Sequence, residues 1–148
     1  MRRLAAVLTI CVLLGAAVYM LRPRMSPEAV VEEFLWALDR GDLDAATRRV
    51  HEAFAERVRR ASAGDAGPNH AIERLTVGLP GQTRQMGWHY DEVNVTIKWR
   101  NGKPSARFER LFRDQVADEP TTGAWAVVFS LEKRYVRGWV ILTLLGGA

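Results

Sequence analysis

His89, Tyr90 and Asp91 come closest, by type and spacing, to a reactive constellation in this chain. If residues 88–100 form one unbroken strand, His89 and Asp91 share a face with Val93 and Trp99. A histidine and a carboxylate at the mouth of an apolar cavity would suit proton transfer. Their Cα atoms on a strand stand about 7 Å apart. A substrate would have to bridge them, or the side chains lean together. The sequence places no third polar group to orient either one. The weightier reading is therefore a strand start, one residue bonding a loop backbone and the other solvated.

Other candidates are thinner. His51 lies beside an apolar helical stripe and His70 in a Gly/Pro-rich loop, which is no metal-ligand spacing. Neither a metal site nor a cofactor is expected. The single cysteine, Cys11, excludes a disulfide framework and reads as a small hydrophobe within an apolar run. The glycines at 78, 81, 146 and 147 match no phosphate-cradling loop. Trp99 and Trp125 are expected to line the interior together with His89 and Asp91. Trp36 falls on the charged side of its helix, with Glu32, Glu33 and Arg40, and is a candidate interface residue.

The elements that must position these residues follow from periodicity. Ser26-Pro27-Glu28 is a helix start, with a capping hydroxyl, a proline at the first turn and an acid at the positive end of the dipole. Val30, Val31, Phe34, Leu35 and Leu38 then recur at helical spacing, and Gly41-Asp42 stops this helix and caps the next. Leu43, Ala46, Val50, Phe54 and Val58 mark one second helix, closed by the loop 63–69. From Ile72 the period becomes that of strands. Segments 72–79, 88–100, 106–116, from Trp125, and 139–145 are expected as strands, with Asn101-Gly102 as a hairpin turn. The last, nearly all apolar, reads as a central strand. The expected class is α+β: two N-terminal helices packed on a curved, mostly antiparallel sheet of about five strands, cone-like, preceded by one transmembrane helix.

The 148 residues suit one domain, and 26% charge with five tryptophans argues against disorder. Net charge is +4, but four of the 21 Lys and Arg lie in the first 24 positions, and the remaining 17 are matched by 17 acids from Glu28 onward. A nucleic-acid partner, which needs surplus cations on the folded part, is not expected. Leu4 to Leu21 is uncharged, and at about 1.5 Å per residue its 18 residues would just cross a bilayer. Arg2 and Arg3 favour a cytoplasmic N-terminus. The expectation is a signal anchor over 1–24, membrane contact through residues 4–21, and a domain over 25–148 outside the cytoplasm; a cleaved signal peptide is the alternative. Arginine and alanine richness hints at a GC-rich bacterial genome.

The run from Ser26 through Gly41-Asp42 to Ala46, together with Gly138-Trp139-Val140-Ile141, resembles small bacterial domains of the nuclear transport factor 2-like, cystatin-like superfamily. The likeness is strongest to lumazine-binding-like domains of unknown function. The resemblance covers residues 26–145, excepting 61–85, and implies a cone of helices and curved sheet. Its members include enzymes, binders and scaffolds, so it leaves activity open. The leading expectation is a non-catalytic binding domain for a small apolar ligand or an envelope protein. The alternatives are a scaffold subunit of a secretion- or conjugation-type membrane complex, and an isomerase- or dehydratase-like enzyme using His89 and Asp91. An open, polar-bottomed cone favours binder or enzyme; a filled one favours a scaffold.

Overall fold

The protein is described by a computed structural model covering residues 9–17, 25–65, 67–78, 81–85, 88–113, 123–134 and 138–145. Helix α1 is described over residues 9–17. Helix α2, Pro27–Arg40, begins where the Ser26 hydroxyl accepts a hydrogen bond from the Ala29 amide at 3.2 Å. It ends at Gly41, whose φ of 77° is the left-handed conformation glycine adopts without strain. Asp42 caps α3, Leu43–Thr47, by accepting from the Ala45 amide at 3.0 Å.

The expected single second helix is two. After α3 the chain extends through Arg49, Val50 and His51, and α4 runs over Glu52–Ser62 with His51 as its cap. Tertiary pairing overrides helical propensity here. The Ile141 amide donates to the Arg49 carbonyl at 2.9 Å, and the His51 amide donates to the Ile141 carbonyl at 2.8 Å. These bonds form a parallel bridge between Val50 and Ile141.

The sheet also differs from expectation. Strands β1 (Ile72–Val77), β2 (Gly81–Gln85), β3 (Trp88–Trp99), β4 (Ala124–Arg134) and β5 (Gly138–Leu145) pair antiparallel. Across its width the sheet is four strands, β1-β3-β4-β5, not five; β2 pairs with the first part of β3, on the side that β1 occupies further along. Residues 106–116, expected as a strand, contain helix α5, Ala106–Phe112. Ser105 caps it, and Arg107, Phe108, Leu111 and Phe112 are its buried set. That spacing of three and four is helical, so an apolar run was misread for its period. Strand β5 is an edge strand rather than a central one. It is nearly all apolar because Val140 and Ile141, on opposite faces, are both buried.

The transmembrane expectation is overturned too. Of the expected span 4–21, residues 9–17 are described and helical, and the rest lies outside the described residues. No helix among the described residues is long and apolar enough to cross a membrane. A single-pass anchor over 4–21, and the placement of the domain outside the cytoplasm that depended on it, are not supported. An uncharged stretch establishes apolarity along the chain, whereas a crossing needs it on one helix of sufficient length. Ile10, Val12, Leu13 and Leu14 of α1 are all exposed.

The core lies between the sheet and the helices. Val30, Phe34, Leu35 and Leu38 of α2, Phe54 and Val58 of α4, and Phe108, Leu111 and Phe112 of α5 meet Val93, Val95, Ile97, Trp99, Val127, Phe129 and Leu131 of the sheet. The strict alternation along β3 sets its register, since a slip of one residue would turn every apolar side chain outward. Trp99 is 2% exposed at the centre of this packing. Trp99→Ala is expected to cost about 3–5 kcal/mol in chemical denaturation. A loss below about 1 kcal/mol would show that the inner face is not packed as described.

Candidate functional site

The inner face of the sheet is where the sequence places a pocket, and aromatic rings occupy it. Trp99 stands 5.0 Å, centroid to centroid, from Phe108 and 5.4 Å from Trp125, the latter nearly perpendicular. Phe108 stacks on Phe112 at 5.8 Å, and Phe112 meets both Trp125 and Phe129 edge-on at 6.4 Å. Phe129 continues to Phe34 at 5.8 Å, and Phe34 to Phe54 at 5.9 Å. These are favourable edge and offset geometries. The rings form one continuous network from the end of β3 to α4, with α5 laid across it as a plug.

Trp99 and Trp125 therefore do come together, as packing partners of Phe108 and Phe112. Asp91 is half-buried and engaged, with its backbone opposite Leu131 and Gln82. His89 lies in β3 opposite Arg84; its side chain is outside the described residues. Trp36 is half-buried and packed against the core rather than standing free. His51 has a structural task, its Nδ1 accepting from the Ala53 amide at 3.4 Å. His70 is an exposed loop residue with φ of 47°. No group of three or more His, Cys, Asp or Glu among the described residues could hold a metal ion.

The polar constellation that the sequence reading missed centres on Arg107, which is fully buried. Its Nη1 donates to the Leu38 carbonyl, and its Nη2 donates to the carbonyls of Asp65 and Gly67, the last at 2.8 Å. Asp65 adds a carboxylate 3.5 Å from Nη2. Leu38 lies in the last turn of α2, where carbonyls lack helical partners and a cation is favoured. The neighbouring Asp39, 2% exposed, accepts from the Ala71 amide at 2.8 Å and the Ile72 amide at 3.5 Å, fixing the start of β1. Asn69 links the parts: its amide donates to the Asp39 carbonyl at 2.8 Å, and its side chain donates to Ser105 at 3.0 Å and Asp65 at 3.3 Å. Arg110 ties α5 to the Ala61 carbonyl at 2.8 Å.

This cluster locks the loop 63–71 between α2, α5 and β1. Its Nη1 and Nη2 donate to backbone carbonyls, its Nε is buried with no hydrogen-bond partner among the described residues, and Arg107 has no exposed surface to offer a substrate. The signal available in sequence was the placement of Arg107 one residue before Phe108 on a helical, not strand, period.

Compared with protein families, curated proteins and solved structures, the chain matches none. Its chemistry has to be read from its own residues.

At the outer end of β1 and β3, Glu73 accepts from Lys98 at 2.9 Å. That bond is the main reason the Glu73 carboxyl is held below its ordinary range, with Arg74 and Arg100 adding to it. A depressed carboxyl stabilises the fold above its unfolded pKa and loses that contribution as pH falls through the folded value. Glu73 is expected to titrate below a free glutamate by NMR, and added salt to move it back. For the clasp, Arg107→Leu strands buried carbonyls and is expected to destabilise by about 3–5 kcal/mol in denaturant, with amide exchange at Ala71 and Ile72 accelerated. Arg107→Lys should recover only part of this, because a point charge cannot reproduce the guanidinium fork. Unchanged stability of both variants would remove the clasp from the account.

Proposed function

We propose that this chain is a non-catalytic protein-binding module of scaffold type, acting through its outer surface. The observation that carries the reading is the ring network packed on the described inner face of the sheet, around Trp99, Trp125 and Phe129. Ligand sites in α+β domains are concave and open, and here Phe108 and Phe112 of α5 occupy that concavity against Trp99, Trp125 and Phe129. This supports a partner protein over a small apolar ligand. The enzyme reading has less support, since the buried polar cluster around Arg107 is committed to backbone carbonyls.

We also read the fold as related to the cone-shaped superfamily. The Gly41-Asp42 junction between α2 and α3 and the antiparallel sheet that follows support this. Helix α5 seated against the sheet is a departure from an open cone.

Native mass spectrometry of the full chain tests the module reading. The expected spectrum holds the chain's own mass with no stoichiometric small molecule. A retained apolar ligand released on unfolding would overturn it. His89→Ala and Asp91→Ala are each expected to change stability by about 1 kcal/mol or less and to leave the cellular role intact. Loss of that role in a folded variant would instead bring the enzyme reading forward.

A further inference from the structure

The two outer strands of the sheet end differently. At β5 the backbone N–H and C=O of Ile141 are taken by Arg49 and His51, so the middle of that edge is closed. At β1 no strand pairs with the outer edge among the described residues. The Gly78 amide donates to the Asn94 carbonyl at 2.7 Å. Antiparallel alternation then turns the backbone groups of Arg74 and Thr76 toward β3 and those of Leu75 and Val77 toward the open edge. The side chains of Leu75 and Val77 are half-buried against the core. A strand laid along this edge gains main-chain hydrogen bonds and, at alternate positions, apolar contact beside these two residues.

The outer face of the same edge is cationic. Arg74 sits directly opposite Lys98 in the β1–β3 register, and like charges facing each other across strands are destabilising. Arg100 follows just beyond β3, close enough to act with Arg74 and Lys98 on the Glu73 carboxylate. Glu73 bonds Lys98; neither Arg74 nor Arg100 forms an ion pair with an acid among the described residues. A charge on an edge strand discourages unwanted pairing, which accounts for Arg74. It does not account for Lys98 on the inner strand or for Arg100.

We propose that the free edge of β1 receives an extended segment of a partner protein in which acidic residues alternate with apolar ones. The apolar residues lie beside Leu75 and Val77, and the acidic ones beside Arg74 with Lys98 and Arg100 behind it. This rests on the module reading and names the chemistry of its partner. A second copy of the chain is the poorer occupant, because it would bring the same three cations to the edge. A nucleic acid is poorer as well, since three cations fall short of the six to ten phosphate contacts of a typical binder and no stacking ring accompanies them among the exposed described residues.

The test titrates the full, nitrogen-15-labelled chain with a ten-residue peptide of alternating Glu and Val, and separately with its Lys/Val counterpart. The expected result is amide shifts concentrated at Glu73, Leu75 and Val77, binding of the Glu/Val peptide only, and affinity that falls with salt. Arg74→Thr combined with Arg100→Thr is expected to weaken binding about tenfold, as two charge contacts from exposed arginines can supply. The melting temperature should hold or rise, because the facing like charges are relieved. Leu75→Pro, which removes an edge N–H, should weaken binding while leaving the ring network's NMR signals in place. No binding, equal binding of both peptides, shifts on the helices, tighter binding of a 20-nucleotide DNA, or concentration-dependent dimerisation through β1 would each overturn the proposal. Acidic-peptide binding at another surface removes this edge and leaves the module reading intact, whereas a retained small molecule in the native spectrum removes the module reading itself.

Discussion

Burial of the Arg107 guanidinium is the constraint on which the rest of the structure depends. A guanidinium without solvent is costly unless its donors are met, and three backbone carbonyls from two separate segments meet its two terminal nitrogens, leaving only Nε buried without a partner among the described residues. This arrangement holds α5 to the C-terminal end of α2 and to the loop that precedes β1. Leu38 and Asp39 divide the task between neighbours. The carbonyl of Leu38 receives α5, and the carboxylate of Asp39 receives the first amides of β1. Helix, loop, strand and plug are thereby oriented from two consecutive positions.

The seat of α5 then determines what kind of protein this can be. With Arg107 anchored, Phe108, Leu111 and Phe112 have no direction but the sheet, and they pack there with Trp99, Trp125 and Phe129. Close packing in a core leaves few voids larger than a water molecule. On the module reading proposed above, recognition falls to the surface, where β1 offers backbone, partly covered apolar side chains and charge in one place.

Much of the fold was legible because its signals are local. The cap at Ser26, the stop at Gly41 and the cap at Asp42 are each set by side chains within a few residues. The alternation from Val93 to Trp99 needs only a sheet with one buried face. What was misread depends on distant partners. Residues 49–51 leave the helix because Ile141 bonds them. Residues 106–112 alternate poorly as a strand, and their helical period shows only when Arg107 is counted among the buried positions. Asp39 lies off the apolar stripe of its helix, and only the amides of Ala71 and Ile72, some thirty residues on, explain its burial. The apolar segment before Ser26 is another case: apolarity is legible along the chain, but no helix among the described residues is long and apolar enough to cross a membrane. Of the expected pocket residues, Trp99 and Trp125 meet each other as packing partners, their ring centroids 5.4 Å apart.

The bridge between Val50 and Ile141 has a consequence for how copies of this chain could assemble. A sheet that grows by adding strands needs a receptive edge at each end of every unit, and fibrous stacking depends on that repetition. Here one end is occupied at its centre by the chain's own backbone, which among the described residues leaves the β1 side as the receptive edge. Pairing through that edge stops after one addition, whether the newcomer is a partner's segment or a second copy. A molecule terminated in this way can be saturated but not polymerised along its sheet.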